Sequence, residues 1–203
     1  MRTLVLASNN AGKLHEFRAI LAGLPIALIA AGDAGVTTFP PETGATFAEN
    51  AWTKARHVTE MTGEPALADD SGLVVDALNG APGVYSARFG GPGLTDQDRC
   101  LLLLERLRVL PHASRAAYFI AALALSLPDG RQFESEGRLD GTIGEEPRGL
   151  GGFGYDPVFI VGGTERTLAE LRDDEKNAIS HRARALQALR PQLIAALSAG
   201  EAR

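Results

Sequence analysis

The sequence predicts an α/β fold: a long twisted sheet with helices packed on it, arranged as two lobes with a central cleft. Three observations carry that expectation. An apolar run from Thr3 to Ala7 passes through a polar loop into a helical pattern, a capping-box pair at Thr46 and Glu49 opens a second long helix, and Pro128-Asp129-Gly130 separates two runs suited to strands. Strands and helices that alternate, with a hairpin among them, must bury one face of a sheet against helices.

Taken in order, Thr3 to Ala7 reads as a buried strand and Ser8-Asn9-Asn10-Ala11-Gly12-Lys13 as the loop before a helix marked by Leu14, Phe17, Ile20 and Leu21. Gly23 and Pro25 end that helix, and Ile26 to Ala30 forms a second short strand. The helix that starts after Thr46 carries Phe47, Ala51, Ala55 and Val58 on one face as far as Gly63. Ala66 to Ala68 is another short strand, ending at Asp69-Asp70-Ser71-Gly72, with an apolar stretch from Leu73 to Val75 beyond it. Asn79 to Gly93 is loop, rich in Gly and Pro, and offers Tyr85 and Arg88 to a ligand. Thr95 caps a helix carrying Leu101, Leu104 and Leu107, which Pro111 closes. Ala116 to Leu127 and Arg131 to Glu136 make the hairpin. Gly149 to Gly154 is a second glycine-rich loop leading into a strand from Val158 to Val161. Leu186, Leu189, Leu193 and Leu197 mark a last helix, which Pro191 either kinks or divides. With no repeat and no linker long enough to separate independent domains, residues 1–203 are expected to form one domain with two lobes.

Bulk properties narrow the function. The chain is 45% hydrophobic and 22% charged, as ordinary globular domains are. No apolar run approaches the ~20 residues that cross a bilayer, and the single cysteine, Cys100, has no partner for an intramolecular disulfide. The expectation is a cytoplasmic protein without membrane attachment. The net charge of −5 gives no global attraction for a nucleic-acid polymer, so a phosphate-bearing ligand must be held locally. Cys100, beside Leu101 to Leu104, reads as a buried inert thiol rather than a nucleophile.

Local groups supply the chemistry. Ser8 to Lys13 sets small residues and a lysine at a helix start, where outward N–H groups and the helix dipole favour an anion; it lacks the Walker A spacing, because Leu14 follows Lys13. An ordinary polar turn reads the same way. Asp69 and Asp70 repel each other unless solvent or a cation intervenes, and Mg²⁺ favours such oxygens, while a solvated turn with Ser71-Gly72 is the plainer reading. Glu42 is a second metal candidate in a loop after two prolines. The approach to the last helix reads equally as a solvated helix start or as a binding site, in which Lys176 suits a phosphate and Arg182 an acceptor oxygen on a base or phosphate, with His181 in a binding or a capping role. In Gly151-Gly152-Phe153-Gly154-Tyr155-Asp156, Phe153 either stacks on a base or enters the core, and Tyr155 and Asp156 fix the loop or meet a sugar.

Taken together, SNNAGK at 8–13, ETG at 42–44, FAENAWTKA at 47–55, ADDSGLVVDAL at 68–78, GAPGVYSARF at 80–89, GGFGYDP at 151–157 and EKNAISHR at 175–182 resemble the inosine triphosphate pyrophosphatase family, in particular its bacterial RdgB-like dITP/XTP pyrophosphatase branch. The match runs nearly the whole chain, and several motifs in one order are far more specific than any one loop. The resemblance implies a homodimer of elongated α/β subunits with a mixed sheet, Mg²⁺ dependence, and hydrolysis of non-canonical purine nucleoside triphosphates such as ITP, dITP and XTP to the monophosphate and pyrophosphate. Carried over by position, it implies that Ser8, Asn9, Asn10, Ala11, Gly12 and Lys13 hold phosphate and that Glu42 and Asp70 bind the metal. Asp70 is also the implied proton acceptor, and Ser71, Phe153, Gly154, Tyr155, Asp156, Lys176, His181 and Arg182 the implied lining of the substrate site. Two other readings stay open on the residues alone: a pyrophosphatase of modified pyrimidine or methylated nucleotides, as in the Maf-like proteins, and a nucleotide-binding module without turnover.

Overall fold

The computed structural model describes residues 2–110 and 114–198. Among them, six strands form one sheet: β1 (Arg2–Leu6), β2 (Ile26–Ala30), β3 (Ala66–Val75), β4 (Ala116–Ser126), β5 (Gln132–Ile143) and β6 (Phe159–Val161). Their spatial order is β2-β1-β3-β4-β5-β6. β1 runs parallel to both β2 and β3, with Leu4 opposite Leu28 and Leu6 opposite Leu67, while β5 and β6 are antiparallel. The helices are α1 (Ala11–Ile20), α2 (Phe47–Thr62), α3 (Asp96–Arg108), α4 (Asp173–Ile179) and α5 (His181–Ser198). The α/β expectation, with its mixed sheet, is met.

The chain divides into two compact units, 1–70 with 121–137 and 182–203, and 71–120 with 138–181. In the first, Leu4, Leu6, Leu67, Leu123 and Leu125 pack with Phe17 and with Leu186, Leu189, Leu193 and Leu197 of α5. A second cluster joins Val5, Ala66 and Ala68 to Ala51, Ala55 and Val58 of α2. Burial of large aliphatic side chains at about 1.5–3 kcal/mol each is the main favourable term holding such layers together. In the second unit, Leu73, Val75, Phe119, Leu139, Ile143 and Phe159 pack with Leu103, Leu104 and Leu107 of α3.

Local signals explain most boundaries. Thr46 and Glu49 form the expected capping box, each side chain satisfying the other's backbone N–H, and Gly63 closes α2 in the left-handed conformation that a side chain resists. Thr95 and Asp98 cap α3 in the same way. Three expectations change and one narrows. Ala66 to Ala68 and Leu73 to Val75 belong to one continuous strand, so Asp69 and Asp70 stand inside β3 and not at its end. Leu101 is half exposed, and Leu103 takes the core position on α3. β5 extends seven residues past Glu136, because alternate residues stay exposed along it and only its last part turns apolar. Of the two roles open to Pro191, dividing the last helix is excluded, since Pro191 lies within one uninterrupted α5. Pro111, expected to end α3, is outside the described residues.

Candidate active site

The first group of site residues belongs to the first unit. β1 gives way to α1 through Asn10, whose side chain accepts the Lys13 N–H at 2.9 Å while its own N–H donates to Ser8 Oγ at 3.1 Å. Asn9 Oδ1 accepts the Gly32 N–H at 2.8 Å, and a Cβ on Gly32 would stand only 3.0 Å from that oxygen, so glycine permits the approach. The first-turn amides of a helix point out of its end and carry its positive pole. No acidic residue occupies the first turn of α1, so no carboxylate of that turn repels an anion there.

Consecutive side chains on a strand point to opposite faces, and Asp69 and Asp70 accordingly take different partners. Asp69 is fully buried, with Oδ2 2.8 Å from Lys13 Nζ and 3.0 Å from Arg182 Nε. Burial pushes this carboxyl up, but Lys13 and Arg182 outweigh it and hold Asp69 well below the usual carboxylate range. Arg182, buried at the start of α5, also places Nη1 2.9 Å from Glu16 Oε2. Asp70 Oδ1 is 2.6 Å from Lys54 Nζ, and Asp70 Oδ2 accepts from Asn50 Nδ2 at 3.3 Å. Burial raises the Asp70 pKa, with Lys54 opposing. The Lys54 ammonium also reaches Glu42 Oε1 at 3.0 Å. Burial draws Lys54 down, yet Asp70 and Glu42 more than offset that and its pKa is raised.

Two ammonium groups meet on one backbone oxygen. Lys13 Nζ donates to the Asp69 carbonyl at 3.0 Å and Lys54 Nζ donates to it at 3.1 Å. Burial lowers the Lys13 pKa; Asp69 opposes this, and the nearby Lys54 and Arg182 charges add to the depression. The result is a pair of lysines beside a pair of carboxylates, Glu42 and Asp70, next to an anion-receptive helix start.

Lys54, Asn50 and Glu16 are the members that sequence reasoning left without roles. Asn50 and Lys54 are four residues apart on α2, both buried on the face that otherwise carries Ala51, Ala55 and Val58. A lysine and an asparagine interrupting an apolar stripe was the readable signal. Asn50 also accepts the Gly44 N–H at 2.9 Å, and a Cβ on Gly44 would lie 2.7 Å from that oxygen, which accounts for the glycine of the 42–44 motif.

The second group belongs to the second unit. Ser71, half-buried, follows Asp70 in β3. In the loop at 151–156, Asp156 Oδ2 accepts the Phe153 N–H at 2.9 Å and lies 2.5 Å from Lys176 Nζ. The same ammonium sits 4.9 Å from the centre of the Phe153 ring. Gly152 has φ +69°, and a side chain there would collide with the Asp156 carboxylate. Tyr155 is buried, which pushes its hydroxyl pKa up, and the hydroxyl donates to Ser86 O at 2.9 Å. His181 is buried and stacks on Phe119, with ring centres 4.8 Å apart and planes at 10°. Cys100 is buried as expected, and burial pushes its thiol up to about 12.

Comparison with known proteins agrees with the motif-based resemblance. The Ham1 family pattern matches residues 4–192. A dITP/XTP pyrophosphatase of Streptomyces coelicolor is 52% identical over 193 residues, covering 94% of this chain and 96% of that protein. One of Symbiobacterium thermophilum is 48% identical over 202 residues, covering 98% of each. Among solved structures, a HAM1 protein from Coxiella burnetii superposes with a TM-score of 0.85 at 45% identity, covering 98% of this chain and 100% of the other. Matched to its family pattern over nearly its whole length and to these relatives at about half identity, the chain belongs to the Ham1 family.

Proposed function

We propose that this chain is a nucleoside triphosphate pyrophosphatase that cuts between the α and β phosphates of purine nucleotides with a 6-keto base, ITP, dITP and XTP among them. It releases the monophosphate and pyrophosphate and so clears these nucleotides from the pool. The observation that carries the reading is the convergence of Lys13 and Lys54 on the Asp69 carbonyl beside Glu42 and Asp70, in a Ham1 chain whose relatives include proteins named dITP/XTP pyrophosphatase.

The Ser8 to Gly12 loop at the start of α1 and the Lys13 ammonium hold the phosphates, and Lys54 offsets charge that develops as pyrophosphate leaves. Asp70 orients the attacking water or takes its proton. Glu42 and Asp70 would hold Mg²⁺. Among the described residues no group of three or more Asp, Glu, His or Cys side chains is arranged to hold a metal ion by itself, and a two-carboxylate set suits a cation that completes its shell with phosphate oxygens and water. When bound, Mg²⁺ supplies charge neutralisation at the phosphoryl oxygens.

Ser71, Phe153, Gly154, Tyr155, Asp156, Lys176 and His181 serve the substrate, with Phe153 offering a ring face to the base. Arg182 carries only donors and so favours a 6-keto acceptor over the 6-amino donor of adenine. Guanine shares the 6-keto group and must be excluded at its 2-amino group.

The protein acts on free nucleotides, not on nucleic-acid polymer or membrane, as a cytoplasmic homodimer. Among the described residues no helix is long and apolar enough to cross a membrane. Sedimentation at micromolar concentration showing only a 21.4 kDa species would contradict the dimer. Product analysis tests the chemistry: ITP should yield IMP and pyrophosphate, and chelation of divalent ions should stop the reaction. Orthophosphate and IDP as products would overturn the reading, and turnover that survives chelation would remove the metal.

A further inference from the structure

The backbone of Gly154 is gripped on both sides by one face of α3. Asp96 Oδ2 accepts the Gly154 N–H at 2.9 Å, and Cys100 Sγ, one helical turn further on, donates to the Gly154 carbonyl at 3.3 Å. Residues four apart on a helix lie on the same face, so the two contacts form a single clamp. Gly154 sits at φ +61°, between Phe153, whose N–H is held by Asp156, and Tyr155, whose hydroxyl is held by Ser86. Both neighbours are therefore fixed within the loop, and α3 fixes the residue between them.

We infer that Asp96 is a positioning residue that sets nucleotide affinity by holding the Phe153–Tyr155 backbone, with Cys100 as its weaker partner. The inference rests on the proposed role of Phe153 in base binding. Asp96 supplies a charge-assisted acceptor, whereas a thiol is a weak donor, so Asp96 dominates the clamp. The carboxylate needs only an acceptor oxygen for this task, and an asparagine keeps one.

The test compares Asp96→Ala, Asp96→Asn and Cys100→Ala with the unmodified protein, by steady-state pyrophosphate release from ITP and by hydrogen exchange of the Gly154 amide in the free protein. Asp96→Ala should raise KM for ITP about tenfold with kcat changed less than about twofold, the pattern of lost uniform binding. It should also speed exchange at Gly154. Asp96→Asn should restore both, and Cys100→Ala should move KM by about threefold or less. Unchanged KM and exchange in Asp96→Ala would overturn the inference, as would equal impairment in Asp96→Asn. If the unmodified protein releases no pyrophosphate from ITP, the functional reading fails and the link to affinity with it, while exchange at Gly154 still decides whether Asp96 holds the loop.

Discussion

Lys54 Nζ stands 2.6 Å from Asp70 Oδ1, and it reaches Glu42 and the Asp69 carbonyl from the same position. One ammonium thus ties together three acceptors from two segments of chain: Glu42 in the loop before α2 and the consecutive residues Asp69 and Asp70 of β3. A compact point charge with three donors suits that place better than the planar fork of arginine.

Replacing Lys54 with methionine keeps the apolar stem and removes the charge. We expect kcat/KM for ITP to fall by about 10²-fold or more, the scale of losing one preorganised charge-stabilising donor. Lys54→Arg should not restore it. Pyrophosphate release at fixed Mg²⁺ measures both, and near-normal turnover in Lys54→Met would take Lys54 out of the chemistry.

Asp70→Asn keeps an acceptor oxygen for Lys54 but loses the negative charge and the proton-accepting capacity. Turnover should drop by roughly 10²–10⁴-fold with far-UV circular dichroism unchanged. Lys13→Ala should act mainly on KM, because its ammonium stands at the anion-receptive end of α1. An unaltered KM in Lys13→Ala would contradict its phosphate role.

Asp69 acts on stability first. Its carboxylate is fully buried between Lys13 and Arg182, and breaking a buried ion pair from one side leaves uncompensated charge at a cost of about 3–5 kcal/mol. Asp69→Asn should therefore lower Tm clearly at pH 7. Because the native carboxyl titrates below its ordinary range, the stability it supplies is fully present above about pH 4 and is lost as pH falls below that. The Tm difference between the unmodified protein and Asp69→Asn should shrink as the pH is taken from 5 toward 2; a difference that stays constant would contradict the ion-pair account.

Cys100 provides a check on burial. A thiol pushed up to about 12 is almost entirely protonated at pH 8, so alkylation by iodoacetamide should be slower in the folded protein than in the urea-unfolded chain by about 10³-fold. Mass spectrometry of the labelled chain reads the rate, and equal rates would mean that the thiol is open to solvent.

Much of this arrangement was legible in the sequence, and the reasons are local. The Thr46–Glu49 capping box, Gly63 and the Pro128-Asp129-Gly130 turn each encode their boundary within a few residues, and the boundaries fell there. The motif residues Ser8 to Lys13, Glu42 and Asp70 fall in one unit of the fold with Asp69 and Arg182. What stayed hidden depends on contacts distant in sequence. Strand periodicity broke at Asp69-Asp70 because two charged residues inside β3 look like a strand end, whereas Lys13, Lys54 and Arg182, supplied from three helices, offset their buried charge. Arg182 likewise reads as a donor to a base or phosphate oxygen, and its added pairing with Glu16, far away in the chain, has no local sequence signal.

Selectivity for a 6-keto purine at the α–β phosphoanhydride shows in the relative rates on five nucleotides. Pyrophosphate release by the unmodified protein with Mg²⁺ should be followed for ITP, dITP, XTP, ATP and GTP under identical conditions. Sites built around a hydrogen bond reject a mismatched analogue by as much as about 10⁴-fold. We expect kcat/KM for ITP, dITP and XTP at least about 10²-fold above that for ATP, with pyrophosphate as the product in each case. Comparable kcat/KM for ATP and ITP would contradict it.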